Sequence, residues 1–156
     1  MSETKHRVER AIIVAAGIGK RLQPVTLTTP KPLVSVNGVR MIDTIVEALH
    51  ANGIYEIYVV VGYLKEQFHE WAKSYDGIEL IENPWYNECN NISSLYSARE
   101  HLKNAIVLDG DQFISNPEIL HPDFTRSGYS CVWTDEETPE WLLTVEDGIV
   151  TRCSRT

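Results

Sequence analysis

Two stretches of this chain carry residue types that can handle an anionic ligand. The first is Ala15-Ala16-Gly17-Ile18-Gly19-Lys20-Arg21-Leu22, followed by Pro30-Lys31-Pro32-Leu33. Small residues let the backbone approach a ligand closely, and successive backbone N–H groups can form an anion-binding nest. Arg21 adds a forked donor for phosphate oxygens and Lys31 a point charge. Two familiar phosphate motifs are excluded by single residues. A P-loop needs glycine at position 14 and Ser or Thr at 21, where Val14 and Arg21 stand. A dinucleotide fingerprint needs a third glycine where Leu22 stands. On its own a Gly-x-Gly is a turn beside solvated basic residues. A lysine held between two prolines just downstream favours the ligand reading.

The second stretch is Leu108-Asp109-Gly110-Asp111. A carboxylate just past a buried strand costs solvation unless it is paired or ligating. It could hold Mg2+, which takes oxygen ligands and keeps phosphate oxygens and waters as the others. The alternative is an Asp-Gly turn with solvated carboxylates. A third stretch, Tyr86 to Leu95, contains Asn90, Asn91, Ser93 and Ser94. These could face a pocket and read a base or ribose, or the serines could cap a helix. The residues alone leave both readings open. Trp85 lies in the same polar segment, where an aromatic ring can stack on a ligand or a quaternary ammonium group.

Other candidates carry less. The five histidines are scattered without ligand spacing. The three cysteines, Cys89, Cys131 and Cys153, form no CxxC pair, so neither a disulfide framework nor a zinc site is indicated. Cys89 has no evident base partner.

The elements that must position these residues follow from hydrophobic pattern. Ala11 to Ala16 is a continuous apolar run, the mark of a strand buried on both faces. A long loop follows, through Pro32-Leu33. Met41, Ile42, Ile45, Val46 and Leu49 fall at helical spacing, with Gly53 closing the helix. Glu56–Val61 predicts a second strand, Leu64 to Ala72 a helix, Ile78–Ile81 a third strand, and Ile92 to Leu102 another helix. Ala105–Leu108 predicts a fourth strand running into Asp109. Tyr129–Thr134 and Trp141–Val145 also read as strands, with a hairpin turn at Asp147-Gly148.

Alternating strands and helices predict an α/β sheet, mainly parallel, with helices on both faces. Ligands bind such sheets beyond the carboxyl ends of the strands. If the first and fourth strands are neighbours, Gly17 and Asp111 meet there. Residues 1–10 are a polar lead-in, and 11–156 are expected to form one domain. A net charge of −8 and a pI near 5.1 argue against nucleic-acid backbones as partners. No run is long enough to span a bilayer, and the lead-in lacks an apolar signal core, so a cytoplasmic protein is expected.

The string AIIVAAGIGKRLQPVTLTTPKPLVSVNGVRMI resembles the signature of the nucleotidyltransferase superfamily that makes sugar and alcohol nucleotides. Every fixed position of its pattern, AAGxGxRLxPxT…PKPL, is matched. NNISSLYSAREHL is similar to the NNxxSL stretch of the CTP:phosphocholine cytidylyltransferase branch, and LDGDQF resembles the strand end that carries the metal aspartate. The resemblance covers roughly residues 10–155.

It implies a Rossmann-like three-layer sandwich of the nucleotide-diphospho-sugar transferase type, with a mainly parallel mixed sheet. It implies transfer of a nucleoside monophosphate to a phosphomonoester, with CTP and phosphocholine favoured and pyrophosphate released. Ala15, Ala16, Gly17 and Gly19 would wrap the nucleotide, with weaker support for Asn91 and Ser94. Arg21 would bind the leaving pyrophosphate, Lys31 would lie between the reacting phosphates, and Asp111 would hold Mg2+. The alternatives are a hexose 1-phosphate acceptor with UTP, dTTP or GTP, and a nucleotide-binding module without turnover. The family's second metal aspartate, on a later strand, has no counterpart here, since Asp135 and Asp147 lie in turns. The chain is therefore expected to be C-terminally truncated or to complete its site otherwise.

Overall fold

The apolar run after position 10 forms a strand that must be covered on both sides. β1 is Arg10–Val14, and its Ala11, Ile12 and Ile13 are wholly buried. The computed structural model describes residues 5–138 and 140–155. Residues 1–4 of the expected lead-in, and Pro139 and Thr156 of the expected 11–156 domain, lie outside them. After β1 come α1 (Met41–Ala51), β2 (Glu56–Val61), α2 (Glu66–Ala72), β3 (Ile78–Glu82), α3 (Ile92–Ser97) and β4 (Ala105–Asp109). The four strands form one sheet in the order β3-β2-β1-β4, each neighbouring pair parallel.

Alternate side chains build the two cores. Ala11 and Ile13 of β1, with Ile57, Val59 and Val61 of β2, pack against Ile42, Ile45 and Leu49 of α1 and Phe68 and Trp71 of α2. Ile12, Tyr58 and Val60 point to the other face and cluster with Ala98, just after α3. The result is the expected three layers. α1 ends where the sequence predicts: the Gly53 N–H donates to the His50 carbonyl at 2.9 Å and Asn52 Nδ2 to the Ala48 carbonyl at 2.8 Å. Two helices differ from expectation. α2 begins at Glu66 because Leu64 is left-handed (φ 51°). α3 stops at Ser97 because Ala98 leaves the helical region (φ −94°, ψ 11°), and a separate turn spans Arg99–His101.

The long loop after β1 is three 3-10 turns, Lys20–Leu22, Val25–Leu27 and Lys31–Leu33. A two-residue ribbon around Asn37-Gly38 leads into α1, and another pairs His6–Arg7 with Asp123–Phe124. No helix among the described residues is long and apolar enough to cross a membrane.

The described residues divide into two compact units between Arg126 and Ser127. The second holds an antiparallel hairpin, β5 (Leu142–Glu146) and β6 (Ile149–Ser154), around the predicted Asp147-Gly148 turn. The strand expected at Tyr129–Thr134 does not form. That segment is irregular, with Val132 and Trp133 88% and 89% exposed. Its composition suits a strand, but a strand needs a ladder for its backbone groups and cover for its apolar face.

Thr44 of α1 reaches from the core toward the segment that follows Asp111. Its buried hydroxyl donates to the Met41 carbonyl at 2.7 Å and accepts the Ile114 N–H at 3.0 Å. Thr44→Val is expected to strand that N–H and destabilise the fold by about 1–2 kcal/mol. A urea melt would show it as a lower midpoint at unchanged slope.

Candidate active site

The chain adds β2 and then β3 on one side of β1, and crosses back to add β4 on the other. In such sheets the crevice at the reversal, beyond the carboxyl ends, is where ligands bind. Here it lies between β1 and β4. Val14 is in register with Asp109, so the Gly17 loop and the Asp109–Asp111 segment leave the sheet side by side.

Backbone hydrogen bonds hold the floor of this crevice. The Gly110 N–H donates to the Val14 carbonyl at 2.9 Å. The Ala15 N–H donates to Val60 at 2.9 Å, and the Tyr63 N–H to Ala16 at 3.1 Å. Ala15 and Ala16 are buried, whereas Gly17 faces solvent. A Cβ on Gly17 would meet nothing within 4 Å, and Gly17 is not among the residues with positive φ. Neither packing nor backbone conformation therefore calls for glycine at that position.

Gly19 has both reasons. Its φ is +68°, and a Cβ there would come within 3.0 Å of Thr26 Cγ2 and 3.2 Å of Lys31 Cβ. Thr26 is buried and donates from Oγ1 to the Gly19 carbonyl at 2.9 Å. The glycine loop thus packs directly on the turn that carries Lys31. Gln67 of α2 holds the same loop from outside, donating Nε2 to the Thr28 carbonyl at 2.7 Å.

The Lys31 ammonium forms a charge-assisted hydrogen bond with Asp111 Oδ2 across 80 residues of sequence. Gly110 allows this approach: a Cβ there would be 3.1 Å from the Val14 carbonyl, 3.2 Å from Ala15 Cβ and 3.2 Å from Pro32 Cγ. Partial withdrawal from water raises the Asp109 pKa above the ordinary carboxylate range. The like charge of Asp111 adds to this, and Lys31 opposes it. Among the described residues no three His, Cys, Asp or Glu side chains converge on a common point. Asp109 and Asp111 are the oxygen donors at this crevice that suit a hard cation.

Arg21 is exposed on the Lys20–Leu22 turn, and neither it nor Lys20 forms an ion pair among the described residues. Asn91 is exposed at the start of α3. Ser94 is only 3% exposed, and its hydroxyl accepts from Asn83 Nδ2 at 3.1 Å. Sequence reasoning did not single out Asn83, Thr26 or Thr44. Thr26 belongs to the matched signature. Asn83 is the first residue after β3 and precedes Pro84, a signal of a strand end only.

Comparison with known proteins places the fold in a family. Residues 11–148 match the family model of the MobA-like NTP transferase domain. The chain is 45% identical over 139 residues to 2-aminoethylphosphonate cytidylyltransferase of Lancefieldella rimae, covering 88% of this chain and 56% of that one. It is 43% identical over 138 residues to choline-phosphate cytidylyltransferase of Streptococcus pneumoniae, covering 88% and 59%. The solved CTP:phosphocholine cytidylyltransferase of Streptococcus pneumoniae superposes with a TM-score of 0.87 at 41% identity, covering 96% of this chain and 65% of that chain. The chain therefore spans less than two thirds of the length of these relatives. Its parallel sheet flanked by helices is the nucleotidyltransferase fold, and the chain belongs to the MobA-like NTP transferase family.

Proposed function

We propose that this chain carries the nucleotide- and phosphate-handling machinery of a cytidylyltransferase. The reaction transfers CMP from CTP to a small phosphomonoester such as phosphocholine and releases pyrophosphate. The observation that carries the reading is the meeting of Lys31 and Asp111 where the sheet order reverses, with the glycine loop packed on the lysine's turn through Gly19. The choice of CTP, and of an acceptor joining a phosphorus anion to a cationic nitrogen, is supported by two relatives. One is named for choline phosphate and the other for 2-aminoethylphosphonate.

In the proposed reaction an oxygen of the acceptor phosphate attacks the α-phosphorus of CTP. The bond between the α-phosphorus and the oxygen bridging it to the β-phosphorus breaks, and the electron pair leaves with pyrophosphate. That acceptor oxygen is ionised at neutral pH, so no general base is needed. What opposes reaction is repulsion between anions, and fixed cations aimed at the reacting phosphates offset it. Lys31 would serve the α-phosphate and the acceptor, and Arg21 the departing pyrophosphate. Ala15, whose own N–H is held by the Val60 carbonyl, would lie against the nucleotide, and Ala16, Gly17 and Gly19 would bring backbone N–H groups to it. Asn91, with Ser94 beneath it, would serve the nucleoside end. Asp111, with Asp109 beside it, would hold Mg2+, which when bound neutralises triphosphate charge.

The test is pyrophosphate release from CTP, Mg2+ and either phosphocholine or 2-aminoethylphosphonate. It should be run on this chain and on any longer chain its gene encodes. UTP, dTTP and GTP with a hexose 1-phosphate form the comparison arm. Release with CTP and an aminoalkyl acceptor is the expected result. Thermal stabilisation by a nucleotide without pyrophosphate release from any pair would instead mark a binding module.

A further inference from the structure

Asn83 stands immediately after β3 and is 1% exposed, yet every polar group of its side chain is used. Its Nδ2 donates to Ser93 Oγ at 2.9 Å and to Ser94 Oγ at 3.1 Å. Its Oδ1 accepts the Trp85 N–H at 2.9 Å. Its own N–H donates to the Val61 carbonyl at 2.8 Å. One buried residue thus joins the end of β2 through its backbone, and the 84–91 loop and α3 through its side-chain amide. Ser93 passes the connection on, donating from Oγ to the Asn90 carbonyl at 2.9 Å.

The loop so held lies over the carboxyl ends of β2 and β3. Tyr86 packs on Gly62, where a Cβ would come within 2.6 Å of the Tyr86 side chain. The next residue, Tyr63, donates its N–H to Ala16 of the glycine loop. The 84–91 loop is therefore coupled to the crevice on the β2 side, while Lys31 and Asp111 lie at its β4 side. If phosphates take the cationic side, the uncharged end of a nucleotide faces the side that Asn83 organises. The segments that Asn83 ties together carry exposed groups of a kind that suits it. Asn91 is exposed, and Trp85 and Tyr96 are 42% and 56% exposed, their rings edge to face at 6.1 Å.

We infer that Asn83 is a positioning residue for the nucleoside end of the bound nucleotide, acting through Ser93, Ser94 and the 84–91 loop without touching the ligand. The inference rests on the nucleotidyltransferase reading above. It makes Asn83 a determinant of nucleotide affinity and selectivity, separate from the charge-handling Lys31. Removing groups that orient metal ligands from behind costs about 10- to 100-fold in affinity or activity, and a group that orients nucleotide contacts is expected at the lower end of that scale.

The experiment is steady-state kinetics on Asn83→Ala, Ser94→Ala and the double variant. Asn83→Ala is expected to raise KM for CTP about 10-fold, with kcat within about threefold and the acceptor's KM unchanged. The preference for CTP over UTP should fall. Ser94→Ala should shift KM for CTP in the same direction by less, and the double variant should be no worse than Asn83→Ala, because both act through one clamp. A loss confined to kcat, a shift in the acceptor's KM, or unchanged kinetics would overturn the inference. If Asn83→Ala does not fold, Ser94→Ala decides alone, and a wild-type KM for CTP in that variant overturns it. A wild-type protein that binds no nucleotide overturns the functional reading and this inference together. Normal wild-type turnover with indifferent variants overturns this inference only.

Discussion

Lys31→Ala is expected to lower kcat for pyrophosphate release by about 10²- to 10³-fold, the scale of losing about 3–4 kcal/mol of transition-state charge stabilisation. In the proposed reaction two anions must approach each other, and the lysine would stand between them. Its turn, Lys31–Leu33, is entered through Pro30, its Cβ packs near Gly19, and its ammonium is paired with Asp111. Truncation removes that cation and leaves the Asp111 carboxylate uncompensated, so repulsion toward the substrates grows as attraction is lost. Lys31→Arg should not restore the rate, because a planar fork cannot replace a compact point charge in the same space. Stability should barely respond. The Lys31 and Asp111 side chains are 32% and 38% exposed, and an ion pair so open to solvent contributes at most about 1 kcal/mol. Measuring kcat and the thermal midpoint on the same sample separates the two effects. Near-normal turnover would remove Lys31 from the mechanism.

Much of the scaffold was legible in the sequence because parallel strands covered on both faces are apolar at consecutive positions. Ala11 to Ile13 and Ile57 to Val61 advertise themselves in this way. The meeting of the glycine loop with Asp111 was readable only conditionally. Local pattern does not encode that β4 pairs with β1 rather than with β3. Polar residues whose burial comes from tertiary contacts were not legible. Asn83, Thr26 and Thr44 sit at strand ends, in turns or within an apolar helix face, and no periodicity distinguishes them from solvated residues. For the same reason the sequence leaves Ser93 and Ser94 open between cap and ligand contact, whereas in the fold their hydroxyls turn inward to Asn83. Tyr129–Thr134 shows the converse error, since strand-like composition cannot supply a pairing partner.

The glycines of the crevice should separate fold from function in a second experiment. Gly17→Val places a branched side chain where nothing lies within 4 Å of its first carbon, at a position without positive φ. The folded protein has room for it, so the thermal midpoint should stay within about a degree or two of wild type, as for a substitution on open surface. A nucleotide that lies against Gly17 has no such room. Overpacking against a bound ligand costs about 1–3 kcal/mol, so affinity for CTP is expected to fall about 5- to 150-fold. Gly110→Ala should behave in the opposite order. Its methyl would press on the Val14 carbonyl, Ala15 and Pro32, of which two are parts of the crevice floor and the third is the neighbour of Lys31. Backbone cannot yield as a flexible side-chain tip can, so the end of β4 must move away from β1 and from the lysine turn. Stability is then lost together with activity. Calorimetric titration of CTP into both variants, paired with thermal melts, reads the contrast. If Gly17→Val binds CTP like wild type, the open face of that glycine is not where the nucleotide lies.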